Sequence, residues 1–296
     1  MKKLVFLIIL MLSAVMIYSG TIVNANDIIR KINSGEKVVY SNVTIKGDLD
    51  FRKVDDQTRK KEFFNKNKTY TIHVRVPVKF TNCIFEGDVI GYYSDEEEDE
   101  LYNVRFYKDA LFSKSEFRSK SAFKYVIFYE DSDFTSCTFN DEALFKYAKF
   151  ENTISFAGSV FKKDANFKYT KFNEDADFTG SVYKWVANYK YSDFDEESIF
   201  TKCTFKDEAN FKYTKFPETG MFEGSKFKRE ANFKYAQFKR GVTFKNVVFG
   251  DDVNFKYTKF RADVNLKNTR FEGDIDSKYA KVNGSSFTKY LSNNRN

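Results

Sequence analysis

The run Ala165-Asn166-Phe167-Lys168-Tyr169-Thr170-Lys171-Phe172 returns, with small changes, at residues 143–150, 209–216, 231–238 and 253–260. The steps from Phe145 to Phe167, from Phe211 to Phe233 and from Phe233 to Phe255 are equal. A finer period lies inside. Large residues stand at 123, 128, 134, 139, 145, 150, 156, 161, 167, 172 and 178, in alternating steps of five and six. Four such steps make one full repeat. Tyr183 and Tyr189 take two places in the series, which resumes at Phe194 and runs through Phe260 to Leu266 and Phe271. Two positions before each large residue stands a smaller one, as in Ala165, Thr170, Ala176, Ser181, Ala187, Ser192 and Cys203.

An 11-residue period can signal a right-handed helical supercoil. At about 100° per residue, however, steps of five and six scatter the Phe residues around a helix. In an extended strand, residues two apart face the same way. Each unit therefore reads as a very short strand with one small and one large side chain pointing inward, followed by a turn. Four units close one four-sided coil, so a full repeat is one turn of the chain. Coils stacked ~4.8 Å apart set each central Phe on the one before it. Burying each contributes ~1.5–3 kcal/mol before entropy is counted. The core is then a column, and the molecule needs no globular interior.

This pattern resembles the pentapeptide-repeat family, whose motif is a small residue, a polar residue, a central Leu or Phe and two variable residues. Ala165-Asn166-Phe167-Lys168-Tyr169, Thr170-Lys171-Phe172-Asn173-Glu174 and Ala176-Asp177-Phe178-Thr179-Gly180 all fit it. The departure is a sixth residue in every second unit, such as Asp164 and Asp175, which should enlarge alternate corners. The resemblance covers residues 101–290 and implies an all-β fold, a right-handed parallel β-helix of quadrilateral section.

The flanks divide as follows. Residues 1–25 read as a secretory signal: Lys2 and Lys3 precede apolar Leu4 to Tyr18, which is too short for a comfortable membrane span. Val23-Asn24-Ala25 offers a small-residue cleavage site, with an uncleaved anchor as the alternative. Its loss removes two lysines from a formal net charge of +7. Residues 26–37 read as a short amphipathic helix, capped by Asp27 and ended by Gly35, with Ile28, Ile29 and Ile32 on one face. It should plug the N-terminal end, since open strand edges invite pairing with other chains. Residues 38–100 hold the first coils, interrupted by loops at 52–70 and 92–100, the second containing Asp95-Glu96-Glu97-Glu98-Asp99-Glu100. The regular array fills 101–290, for eight to ten coils in all, and 291–296 form a flexible polar tail.

Cys83, Cys137 and Cys203 occupy the small inward position. Cys137 and Cys203 are three coils apart, ~14 Å along one face, beyond the ~7 Å limit for a bridge. Buried free thiols are expected, with no disulfide and no metal site. His73 lies between inward Ile72 and Val74, so it should point outward and be exposed. No glycine-rich phosphate loop and no nucleophile–histidine arrangement appears, and no cofactor is implied. The one local oddity is Tyr183 and Tyr189, whose buried hydroxyls need partners, with Trp185 at the corner between them.

The outward positions form columns. After one centre per coil come Lys124, Lys146, Lys168, Lys190, Lys212, Lys234, Lys256 and Lys278, followed by Tyr125, Tyr147, Tyr169, Tyr191, Tyr213, Tyr235, Tyr257 and Tyr279. Asn166, Asn188, Asn210, Asn232 and Asn254 precede those centres. These rows read either as copies left by repeat duplication or as a stripe for an extended polyanion, such as an anionic envelope polymer, with Lys146 to Lys256 and Tyr147 to Tyr257 as the contacts. Glu174, Asp175, Glu196 and Glu197 on a neighbouring corner could offset the charge. Basic-aromatic grooves also suit nucleic acid, but the export signal opposes it as partner; the basic balance and the export signal both oppose the DNA-mimicking topoisomerase inhibition attributed to some family members. The expected function is a secreted, non-enzymatic scaffold or interaction protein at the cell envelope; the alternative is a polysaccharide-binding module using the Lys/Tyr face. An enzyme carried by the two loops is a more distant reading. Some relatives pair through the C-terminal coil, so a homodimer of that kind is a further expectation.

Overall fold

The computed structural model describes residues 20–61 and 68–293. The chain winds into a parallel β-solenoid of about 12 turns, more than the eight to ten expected. Its faces are ladders of 11, 10 and 10 strands and a fourth of 13. One complete coil is Ala165–Asn166, Lys171–Phe172, Ala176–Asp177 and Val182–Tyr183. Each pairs in parallel with its counterpart in the next coil, as Ala165 does with Ala187 and Val182 with Thr204. Corners alternate. The corner at Phe167 to Thr170 is a tight turn closed by Thr170 N–H donating to Phe167 O at 3.0 Å, and the corner at 173–175 carries the extra residue. The extra residue ties adjacent coils together. Asp175 Oδ1 accepts from Glu197 N–H at 3.2 Å, and Asp252 Oδ1 from Asp274 N–H at 2.9 Å, one coil on.

The centres point inward as the spacing requires. Phe167 is fully buried, stacks on Phe145 at 5.1 Å and Tyr189 at 4.8 Å, and meets Phe156 edge-on at 5.2 Å. Stacked and T-shaped contacts both satisfy the ring quadrupole, so four columns of rings fill the interior. Tyr183 and Tyr189 keep their places because their hydroxyls bond each other at 2.6 Å. The small positions divide by chemistry. Rows after the wide corners are mostly Ala or Val, whereas rows after the tight turns mostly carry hydroxyl or thiol groups, with Val126, Ala148, Ala236, Val247 and Ala280 as exceptions. Thr170 Oγ1 donates to Phe145 O at 2.8 Å, Ser181 Oγ to Phe156 O at 2.7 Å and Cys203 Sγ to Phe178 O at 2.9 Å, each 25 residues back. The three cysteines are free and buried.

The ends differ from expectation. Thr21–Asn24, inside the segment assigned to the leader, is a strand pairing residue for residue with Val43–Lys46. The helix runs over Ala25–Asn33, with Asn24 rather than Asp27 as its cap: Asn24 Oδ1 accepts from Asn26 N–H at 2.9 Å. Ala25, Ile28, Ile29 and Ile32 are buried. Residues 1–19 of the expected leader lie outside the described residues. Among the described residues no helix is long and apolar enough to cross a membrane. At the other end Phe287–Asn293 is a helix, so the expected tail begins inside an ordered element: Leu291 is buried, Phe287 packs on Phe260 at 4.7 Å, and Tyr290 OH donates to Val264 O at 2.8 Å.

Both expected loops contain strands. Gln57–Lys61 pairs antiparallel with Lys68–Val74, Tyr92–Asp95 antiparallel with Glu100–Phe106, and the two long strands run parallel to each other. Together they carry one face of the solenoid outward as a four-stranded flap.

Candidate functional site

The Lys/Tyr rows lie on the tight turn. Tyr169 is its third residue, with φ 59, in the left-handed region of a type II turn where Gly or Asn is usual. Tyr125, Tyr147, Tyr191, Tyr213, Tyr235, Tyr257 and Tyr279 share that conformation. It costs ~1–2 kcal/mol for a residue with a Cβ, and the rings offset it. From Tyr125 to Tyr279 each ring stacks on the next with centroids 4.7–4.8 Å apart, and an aromatic pair adds ~0.5–1.5 kcal/mol. Asn166, Asn188, Asn210, Asn232 and Asn254 fix the approach to the turn, their Oδ1 atoms accepting from the N–H of the Lys two residues on at 3.0–3.2 Å. The lysines are positioned in turn: each Nζ from Lys124 to Lys278 lies 5.0–5.9 Å from the centroid of the following Tyr.

The family model for pentapeptide repeats (9 copies) matches residues 101–149, 145–186, 190–237 and 233–276, more than half of the chain. The chain belongs to the pentapeptide-repeat family. No curated protein and no solved structure is significantly similar to it. In the family's register, Lys and Tyr fill the two variable positions of one unit per coil, and every expected contact from Lys146 to Lys256 and Tyr147 to Tyr257 falls on this single row.

The charge is unevenly met. Basic residues elsewhere on this pentapeptide-repeat rod form ion pairs, such as Lys149–Glu151, Lys215–Asp193 and Lys245–Glu223, each at 2.7 Å. Among the described residues, no lysine of the row does, and none pairs directly with Glu174, Asp175, Glu196 or Glu197. The Lys212 ammonium is held below the usual lysine range by desolvation and by Lys190 and Lys234 on either side. The stacked ring faces are occupied by one another, so the row presents ring edges and hydroxyls rather than the open aromatic surfaces a bound polymer would stack on.

His73 corrects a second expectation. It points away from the axis but is buried, because Gln57–Lys61 lies across it. Its Nε2 bonds Thr58 Oγ1 at 2.7 Å and its Nδ1 bonds Tyr107 OH at 3.0 Å. Desolvation, with Arg75 and Arg105 nearby, pushes its pKa down. Burial pushes the Cys83, Cys137 and Cys203 thiols up, away from the thiolate that a nucleophile requires. Among the described residues no group of three or more His, Cys, Asp or Glu side chains is placed to hold a metal ion.

Sequence reasoning missed one polar cluster on the flap. Glu100 accepts from Tyr102 OH at 2.7 Å, Lys68 Nζ at 3.2 Å and Tyr70 OH at 3.3 Å, and the Tyr70 and Tyr102 rings stack at 4.7 Å. These bonds lower the Glu100 pKa, and its carboxylate helps raise that of Tyr102 to about 12. Lys68 and Tyr70 come from one break in the repeat and Glu100 from the other, with Tyr102 just past it, so no local motif joins them.

Proposed function

We propose that this pentapeptide-repeat protein is an exported, non-enzymatic scaffold that works at the cell envelope through its outer surface. The observation that carries the reading is the division of chemistry between inside and outside. The interior is stacked phenylalanine with thiols in their protonated form, and, apart from the flap, where Glu100 gathers its partners, the polar groups outside lie in parallel rows rather than converging on one point. A catalytic site needs several different groups within reach of a single reacting atom. Repetition places like groups side by side.

The test has two arms. Fractionation of cells making the full chain should recover it outside the cytoplasm, and deleting residues 1–19 should abolish this; cytoplasmic retention of the full chain would overturn the export reading. The purified protein should show no turnover of ester, glycoside, phosphoester or peptide substrates. Turnover lost on deleting residues 92–100 would reassign the flap as a catalytic element.

A further inference from the structure

We propose that the Lys/Tyr row is a track for a linear acidic polysaccharide with one carboxylate per sugar, bound lengthwise along the rod. This rests on reading the chain as a scaffold and names the partner.

The row is a line of cations at a fixed pitch without counterions of its own. Ion pairs form at Lys149, Lys215, Arg240 and Lys245 but not along this row. Among the described residues Lys162, Lys184, Lys206 and Lys228 also form none, and this row differs in running unbroken through eight coils with a tyrosine beside each lysine. Flexible stems relieve part of the repulsion along the row by splaying, while each ammonium stands 5.0–5.9 Å from the centroid of the following Tyr. The backbone N–H of each central Lys is pinned by an Asn, and the neighbouring rings are locked in contact at 4.7–4.8 Å. The array is thus pre-organised for a ligand whose anions recur at about one per coil, and a uronic-acid residue is close to that length.

Two further features set direction and class. A parallel acidic row borders the Asn residues. Asn210 and Asn232 donate from Nδ2 to Glu208 and Glu230 at 3.0 and 3.2 Å, and the Glu230 carboxyl is held above the usual range by desolvation and by Glu208 and Asp252. A polyanion cannot spread across that border, so it must run along the axis. The occupied ring faces deny stacking to nucleobases, from which single-stranded nucleic acids gain much of their affinity. What remains is carboxylate recognition by ammonium groups and tyrosine hydroxyls. Each exposed pair is weak, so binding grows by linking many of them.

The experiment is affinity electrophoresis of the full chain through gels containing polygalacturonate, beside the quadruple variant Lys168→Gln, Lys190→Gln, Lys212→Gln, Lys234→Gln. Wild type should be retarded, the variant should bind at least about tenfold more weakly, and its thermal unfolding should be unchanged. Retardation should vanish in 1 M salt, where the screening length is ~3 Å. Galacturonate oligomers should compete better with length up to the eight lysines of the row and then level off. Equal retardation of the variant, or no retardation of wild type, overturns the proposal. Equal binding of an oligothymidylate of matched charge overturns the polysaccharide assignment in favour of nucleic acid. None of these outcomes touches the scaffold reading, which fails instead by turnover in the substrate assays or by cytoplasmic retention.

Discussion

Ser132 and Ser159 are both buried in the small inward position, yet their chemistry differs. Ser159 follows a tight turn: its hydroxyl donates to Phe134 O at 2.5 Å and accepts from Cys137 N–H at 2.9 Å. Ser132 follows a wide corner, in a row whose neighbouring coils hold Ala110 and Ile154, and its hydroxyl has no partner. An orphaned buried polar group costs ~1–3 kcal/mol. Ser132→Ala should therefore stabilise by about 1 kcal/mol and Ser159→Ala destabilise by about 1–2 kcal/mol, read by denaturant unfolding; the same sign for both would refute the division of rows. The alternation of Ala with Ser, Thr and Cys was visible in the sequence. Its cause was not, because the accepting carbonyl belongs to the preceding coil and is remote along the chain. Tyr169 gives a second pair. Tyr169→Ala keeps the left-handed strain and loses two ring contacts, for about 1–3 kcal/mol. Tyr169→Gly also relieves ~1–2 kcal/mol of strain, so it should be the milder change. A glycine variant less stable than the alanine variant would show that the turn is not strained.

At the scale of elements, the repeat register was legible wherever the 5/6 spacing was unbroken. It failed at the breaks for definite reasons. Gln57–Lys61 has no apolar residue and Tyr92–Asp95 has no Phe centre, so these two flap strands look like loops. The C-terminal helix offered a signal in Phe287, Tyr290 and Leu291 at helical spacing, but polar neighbours concealed it. His73 was placed on the correct side and still misjudged, since the strand covering it comes from a break in the pattern. The first strand matters most. A chain beginning at Asn26 loses the pairing of Thr21–Asn24 and the Asn24 cap; the cap alone contributes ~0.5–2 kcal/mol. It should melt at least about 2 °C below a chain beginning at Gly20. Equal melting temperatures would mean that the strand adds nothing and that a cut after Ala25 leaves a complete fold.

The whole molecule is a column closed by a helix at each end, and its stability should respond to alkali through the column. Burial raises the Tyr183 and Tyr189 hydroxyls well above the ordinary tyrosine range. Above about pH 10 the unfolded chain ionises them while the folded one keeps them protonated. The unfolded state then binds fewer protons, and stability falls as pH rises. The double variant Tyr183→Phe, Tyr189→Phe should match wild type near pH 7, because both members of a hydroxyl pair are removed together, and should lose less stability above about pH 10. An identical alkaline decline would place those hydroxyls in contact with solvent. Function was less legible than fold at this scale. Duplication copies every outward residue, so an inherited row and a working row look alike in sequence. What the structure adds is the placement of each ammonium beside a stacked tyrosine ring, coil after coil.

The register can be put to direct trial through Cys137 and Cys203, whose inward orientation follows solely from the alternating spacing. Thiol labelling of the native protein, followed by mass spectrometry, should leave both unmodified over hours, and denaturant should expose them together with Cys83. Rapid labelling of either one in the folded protein would contradict the stacked, inward-facing column.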